Sequence, residues 1–165
     1  DRSPSRGLGD VYKRQTSNKE KIIMPIKSFR GLIADGSQAT VFLHTNNGST
    51  GYRITKFEVM PTEPGVSTSE NVVKIYKTEQ AAVTGTIDFE DNRLLGAAYY
   101  QSESSSYSDW KQIVFDNEIF NQDIFITNKD NRANSTGMNY YIELEQISLN
   151  VNENTVATLK DIRNQ

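Results

Sequence analysis

The chain has 165 residues, no cysteine, one histidine, 36% hydrophobic residues and a formal net charge of −3. That length supports one domain with a substantial core, and the missing cysteines remove disulfides, thiolate metal sites and cysteine nucleophiles. No apolar run reaches the roughly 18 residues that mark a membrane-spanning helix, and an acidic chain without a basic stripe is a poor match to phosphate neutralisation on nucleic acid.

The first stretch reads as a non-native leader. Ser5–Gln15, SRGLGDVYKRQ, matches the in-frame translation of a transposase-type sequencing-library adapter, and Lys19-Glu20 can be encoded by a ribosome-binding sequence placed just before Met24. Residues 1–23 are therefore expected to be translated adapter and upstream region, disordered and outside the fold. The native domain is expected to run from 24 to 165. Removing six basic and three acidic residues leaves 12 basic against 18 acidic, a net charge of −6.

Pro25–Ile33 reads as an N-terminal strand or extended arm, followed by an Asp35-Gly36 turn. Thr40–Thr45 (TVFLHT) predicts a short strand, and Asn46-Asn47-Gly48 a tight hairpin leading into Tyr52–Met60. In that strand Tyr52 and Ile54 alternate, then Phe57 and Val59 resume one residue out of step, as a β-bulge would allow. Pro61 and Pro64-Gly65 end it. Asn71–Thr78 predicts a strand with Val73 and Ile75 on one face and Val72, Lys74 and Tyr76 on the other.

Gly85–Phe89 is expected as a short strand. Leu94–Tyr100 is expected as an apolar strand, with a buried helical turn as the alternative. Gln101–Asp109 is polar and low in complexity, the pattern of an exposed loop. Strands follow at Trp110–Phe115 and Asp123–Thr127, then a polar loop at Asn128–Gly137. Met138–Val151 is the longest strand-like run. Tyr140, Ile142 and Leu144 share a face, while Ile147, Leu149 and Val151 continue out of phase, which places a bulge near Glu145–Gln146. The two slipping strands are expected to be neighbours or counterparts that set the sheet's curvature. In Asn152–Arg163, Val156, Leu159 and Ile162 recur at helical spacing, with Asn152 or Asn154 as N-cap; a last strand through Thr155–Leu159 is the alternative.

Eight or nine short strands and at most one short C-terminal helix predict an all-β fold, an antiparallel β-sandwich of jelly-roll type. Chemistry is sparse. His44 falls within a strand pattern without a nucleophile elbow, so it is read as a strand-face residue. Asp88, Glu90 and Asp91 crowd one turn and could bind calcium, but the EF-hand pattern is missing. No cofactor and no metal are expected. Tyr99, Tyr100, Tyr107 and Trp110 surround the Ser-rich loop and form a candidate interaction surface for sugar or protein. Ile26 and Phe29 in the N-terminal arm, with Val156, Leu159 and Ile162 in the tail, are candidate assembly anchors.

Three segments carry a resemblance: MPIKSFRGLIADG from Met24, FDNEIFNQDIFIT from Phe115, and NYYIELEQISLNVNENTVATLKDIRN from Asn139. They resemble small virion structural proteins of marine tailed phages, and the likeness spans Met24–Asn164. It implies a non-enzymatic virion part assembled in the host cytoplasm, foremost a capsid decoration or cement protein. The partners would be capsid or tail subunits or further copies of the chain, with no nucleic acid and no membrane. The alternative is a tail- or fibre-associated module that binds a host glycan or receptor.

Overall fold

The computed structural model describes residues 24–44, 49–65, 68–103 and 110–163, the side chains of 151, 154 and 160–163 excepted. The expected leader, residues 1–23, lies outside them, as do Tyr107 and the Asn46-Asn47-Gly48 turn. Eight strands and one helix follow in chain order: β1 Ile26–Ile33, β2 Ser37–Val41, β3 Thr50–Pro61, β4 Ser69–Tyr76, β5 Leu94–Ser102, β6 Trp110–Phe115, β7 Ile124–Asp130, β8 Met138–Ser148 and α1 Val151–Arg163. They form two antiparallel sheets, β1-β8-β3 and β2-β7-β4-β5-β6. The predicted all-β sandwich is the observed fold.

The strand order is that of a jelly roll with one departure. The chain doubles back on itself, so β1 lies on β8, β2 on β7 and β4 on β5; the wrap then brings β8 against β3 and β7 against β4. The same rule would set β6 beside β3. Instead β6 hydrogen-bonds to β5, from Gly96–Phe115 to Gln101–Trp110. The expected contact survives as one bridge just past β6, where Tyr52 and Phe120 exchange backbone hydrogen bonds of 2.7 and 3.0 Å. Because β2 and β3 belong to different sheets, the tight hairpin expected between them does not form.

The core lies between the inner faces. The three-stranded sheet contributes Ile33, Phe57, Val59, Met138, Ile142 and Leu144; the larger sheet contributes Val73, Ile75, Leu95, Ala98, Ile124 and Ile126. Apart from the small Ala98, each such side chain stabilises the fold by about 1.5–3 kcal/mol when fully buried. The β3 phase slip is a bulge: the register with β8 jumps between Ile54 and Lys56, so Thr55 is extra and Tyr52, Ile54, Phe57 and Val59 all face inward. The two long strands are hydrogen-bonded neighbours, as expected. The bulge, however, is on β3 alone. In β8 the pairing runs unbroken through Glu145 and Gln146, the strand ends at Ser148, and Ile147 turns to the opposite face from Leu144.

The outer faces of the two sheets differ. On β4 both faces are buried, because residues 77–93 pass over the larger sheet. Lys74 donates to the Thr86 carbonyl at 2.7 Å beneath this segment, Gln80 N–H donates to Gln38 at 2.9 Å, and Lys77 pairs with Glu118 at 3.0 Å. Burial pushes the Lys74 ammonium below its usual pKa, against the pull of Asp91. The strand expected at Gly85–Phe89 is irregular chain instead, with the Thr86 carbonyl taken by the Lys74 side chain rather than by a neighbouring strand.

The polar run Asn128–Gly137 is not all loop. Asn128–Asp130 completes β7, and both Asn128 and Asp130 are fully buried. Asp130 accepts backbone N–H groups of Glu70, Arg132 and Thr136 at 3.3, 3.0 and 3.1 Å, while Asn128 donates to the Ile33 and Thr136 carbonyls. Burial raises the Asp130 pKa, but the three N–H donations outweigh it and hold the carboxyl below its ordinary 3.8.

Two outcomes follow for Asp130. Asp130→Ala leaves three backbone donors unpaired and should lower stability by about 3 kcal/mol in denaturant unfolding. Asp130→Asn isolates the charge. Since the folded-state pKa is depressed, the carboxylate's contribution is complete above the unfolded value, about 3.9, and is lost as pH falls through the folded one. The melting-temperature gap between wild type and Asp130→Asn should be widest near neutral pH and narrow below about pH 4; a constant gap would contradict this account.

Candidate functional site

The sequence-predicted aromatic cluster is split by strand alternation. Tyr100 points inward and is part of the core. Tyr99 points outward, half-buried, with its single hydroxyl proton within reach of two acceptors, a Glu70 carboxylate oxygen (3.2 Å) and the Gln101 amide oxygen (3.1 Å). Burial and the Glu70 carboxylate raise the Tyr99 pKa. Trp110 stands on edge strand β6, 59% exposed, opposite Gln101 and diagonal to Tyr99 across the pair of strands. Two of the four residues thus share an outer face, with Gln112 directly opposite Tyr99 in the register.

The anchors divide in the same way. Ile26 is exposed on the outer face of β1, whereas Phe29 packs against the core. Phe29 is therefore not available as an anchor: it pairs with Ile142, and both face the sandwich interior. Val156 and Leu159 are exposed on α1; the Ile162 side chain lies outside those described. The acidic turn uses its own carboxylates. Asp88 accepts Glu90 N–H at 2.9 Å, and Asp91 takes the Arg93 guanidinium at 2.8 and 2.9 Å, which holds the Asp91 carboxyl below its usual range. Among the described residues no three acidic or histidine side chains converge as metal ligands. His44 lies past the end of β2 rather than in a strand, exposed at φ 49° and stacked on Phe42 at 6.0 Å.

A further surface lies where the tail meets the domain. The tail folds as the predicted helix, but its cap is Asn150, one residue before the first helical position. Asn150 Oδ1 accepts Glu153 N–H and Glu153 Oε2 accepts Asn150 N–H, each at 2.9 Å, a reciprocal capping box. The chain approaching it is fixed by Leu149 N–H on the Ser49 carbonyl at 2.7 Å. The helix rests on the domain through buried Ala157 and the Asn121–Thr158 hydrogen bond. Between helix and domain runs an open groove of about 520 Å³, walled by Ile119, Ile147, Leu149 and Val156. Two of these walls close over Gly51 for a steric reason: a β-carbon there would sit 2.7 Å from Ile119 and 3.0 Å from Leu149. The groove's signal in the sequence is the phase slip after Leu144. The slip marks the point where β8 stops feeding the core and presents Ile147 to this second apolar cluster.

No protein-family model matches the chain, and no curated protein matches it.

Removing the cap tests how the groove wall is held. Asn150→Ala should accelerate amide exchange in the first turn of α1 about fivefold, the equivalent of roughly 1 kcal/mol, while the β4 and β8 amides stay unchanged. Equal acceleration throughout would mean that the helix is integral to the core.

Proposed function

We propose that the protein is a non-enzymatic structural component of a tailed-phage virion, a capsid decoration protein that acts by adhesion. One observation carries this reading: the domain ends in a capped helix that presents Val156 and Leu159 to solvent beside an apolar groove built from Ile119, Ile147 and Leu149. Grouped apolar side chains on an outer surface are the usual mark of a protein–protein contact. The jelly-roll sandwich gives them a rigid support. The resemblance of Met24–Asn164 to virion proteins supplies the partner, a neighbouring capsid subunit. Val156 and Leu159 are the anchors that such a subunit buries.

Val156→Asp with Leu159→Asp tests the reading, because both side chains are exposed and the sandwich core does not use them. The double variant should melt within a few degrees of wild type and lose co-sedimentation with purified tailed-phage capsids that the wild-type protein binds. Undiminished co-sedimentation would overturn the role assigned to the helix.

A second reading rests on Trp110. An exposed indole beside Tyr99, with Gln101 and Gln112 in the same register, offers a sugar ring a flat apolar surface and planar hydrogen-bonding amides. This suits a tail- or fibre-associated module that binds a host glycan. Glycan-array binding abolished by Trp110→Ala would favour it over adhesion to capsid; an array without signal would dismiss it.

A further inference from the structure

The outer face of the three-stranded sheet carries a pattern that the proposed adhesion does not use. Alternation and register place its side chains in rows across the strands. Leu32 pairs with Asn139, which pairs with Met60; Arg30 pairs with Tyr141, which pairs with Glu58. All six lie on the face opposite the core, since Ile33, Tyr140 and Val59 point inward. Leu32 is 60% exposed and Met60 64%, the two rising on either side of the short Asn139. The result is an open trough of about 430 Å³, bounded at one end by the Arg30–Tyr141–Glu58 row.

Charge gives the face a direction. Arg30, on β1, makes no ion pair among the described residues. Glu58, on β3, uses one carboxylate oxygen for Lys111 at 2.7 Å and keeps the other. The two flank Tyr141 from opposite sides at the same height along the sheet.

We propose that this face binds a second copy of the same chain about a two-fold axis running along β8. The self-complementary row is what selects a second copy as occupant. Such an axis lays β1 of one copy over β3 of the other. Arg30 then meets Glu58 of the second copy, and Leu32 meets Met60 of the second copy, each contact formed twice, with the two Tyr141 rings at the centre. The arrangement is isologous, every contact being repeated by the symmetry. Sheets packed face to face cross at about 30°, so contact is concentrated on these two rows. One row further, Glu143 approaches its own copy, with Lys56 beside it in the register and its ammonium over the Tyr141 ring. A patch of this extent suits an association in roughly the micromolar range rather than an obligate dimer.

Sedimentation equilibrium of the full chain tests the proposal, because the symmetry dictates how charge reversal behaves. Arg30→Glu alone places two glutamates against each other twice, and Glu58→Arg alone opposes two arginines twice. Each variant should dimerise at least about tenfold more weakly than wild type. Mixed one to one they should recover association. In the mixed dimer, position 30 of each chain faces a side chain of opposite sign at position 58 of the other. Thermal melts establish that each variant is folded. Wild type that stays monomeric to about 1 mM, variants that dimerise like wild type, or a mixture that behaves as the average of its parts would each overturn the proposal. None of these outcomes bears on capsid adhesion through α1, which is read in a separate assay.

Discussion

The fold depends on one strand satisfying two neighbours and two faces at once. β8 pairs with β1 along one side and β3 along the other, and it drives Met138, Tyr140, Ile142 and Leu144 into the sandwich. A strand of period two can do this only while its partners keep the same phase. β1 does so without interruption. β3 does so by inserting Thr55, which lets Tyr52 and Ile54 face the core on one side of the bulge and Phe57 and Val59 on the other. Without that extra residue, one pair of inward residues would turn to solvent. The close approach of strands adds a further steric condition: a β-carbon at Gly31 would sit 2.7 Å from the Tyr140 ring, so the ring occupies its place beside β1 only because no side chain is there.

Much of this is legible in the sequence because alternation records which face is buried. The pattern gives β6 its observed limits and β1 and β5 nearly so, and the slip in β3 is the bulge it suggests. The same rule misleads in β8. There the change of phase after Leu144 reflects no bulge but a change of environment, from the main core to the cluster of Ile119 and Leu149. Periodicity cannot tell a strand that bends from a strand that finds a second apolar surface. Asn128 and Asp130 escape a polar-loop reading because their burial depends on partners far along the chain, Ile33 and Glu70. Pairing is the least legible level. The hairpin expected between β2 and β3 looks local, yet the wrap sends those strands to different sheets. The aromatic cluster fails on one residue for the simplest reason: Tyr99 and Tyr100 are adjacent in a strand, so they cannot share a face.

The two sheets are treated differently by the rest of the chain. Residues 77–93 cover the outer face of the larger sheet and bury the alkyl stem and ammonium of Lys74 against the Tyr76 ring and the Thr86 carbonyl. That leaves the outer face of the smaller sheet as the broad surface on which apolar and charged groups alternate in the open. The displacement of β6 has a related effect. By pairing with β5 it leaves β3 with one bridge, at Tyr52, and one ion pair, at Glu58, where a fourth strand would lie in a regular roll. The smaller sheet is consequently narrow, and its outer face is framed by short edges rather than by further strands.

The helix groove and the Tyr141 face stand at opposite ends of that sheet. On β8, Ile147 lies six positions from Tyr141 and four from Glu143, roughly 20 and 13 Å at the rise of a strand. In the reading proposed for this protein, the separation has a consequence beyond geometry. A copy held on a capsid through α1 leaves its sheet free for a neighbouring copy. Pairing of two tethered copies is then effectively intramolecular, and an association too weak to persist in dilute solution becomes appreciable on the particle. Adhesion of that kind needs neither surface to be large. It requires only that the sandwich between them be rigid, and the shared core of the two sheets makes it so.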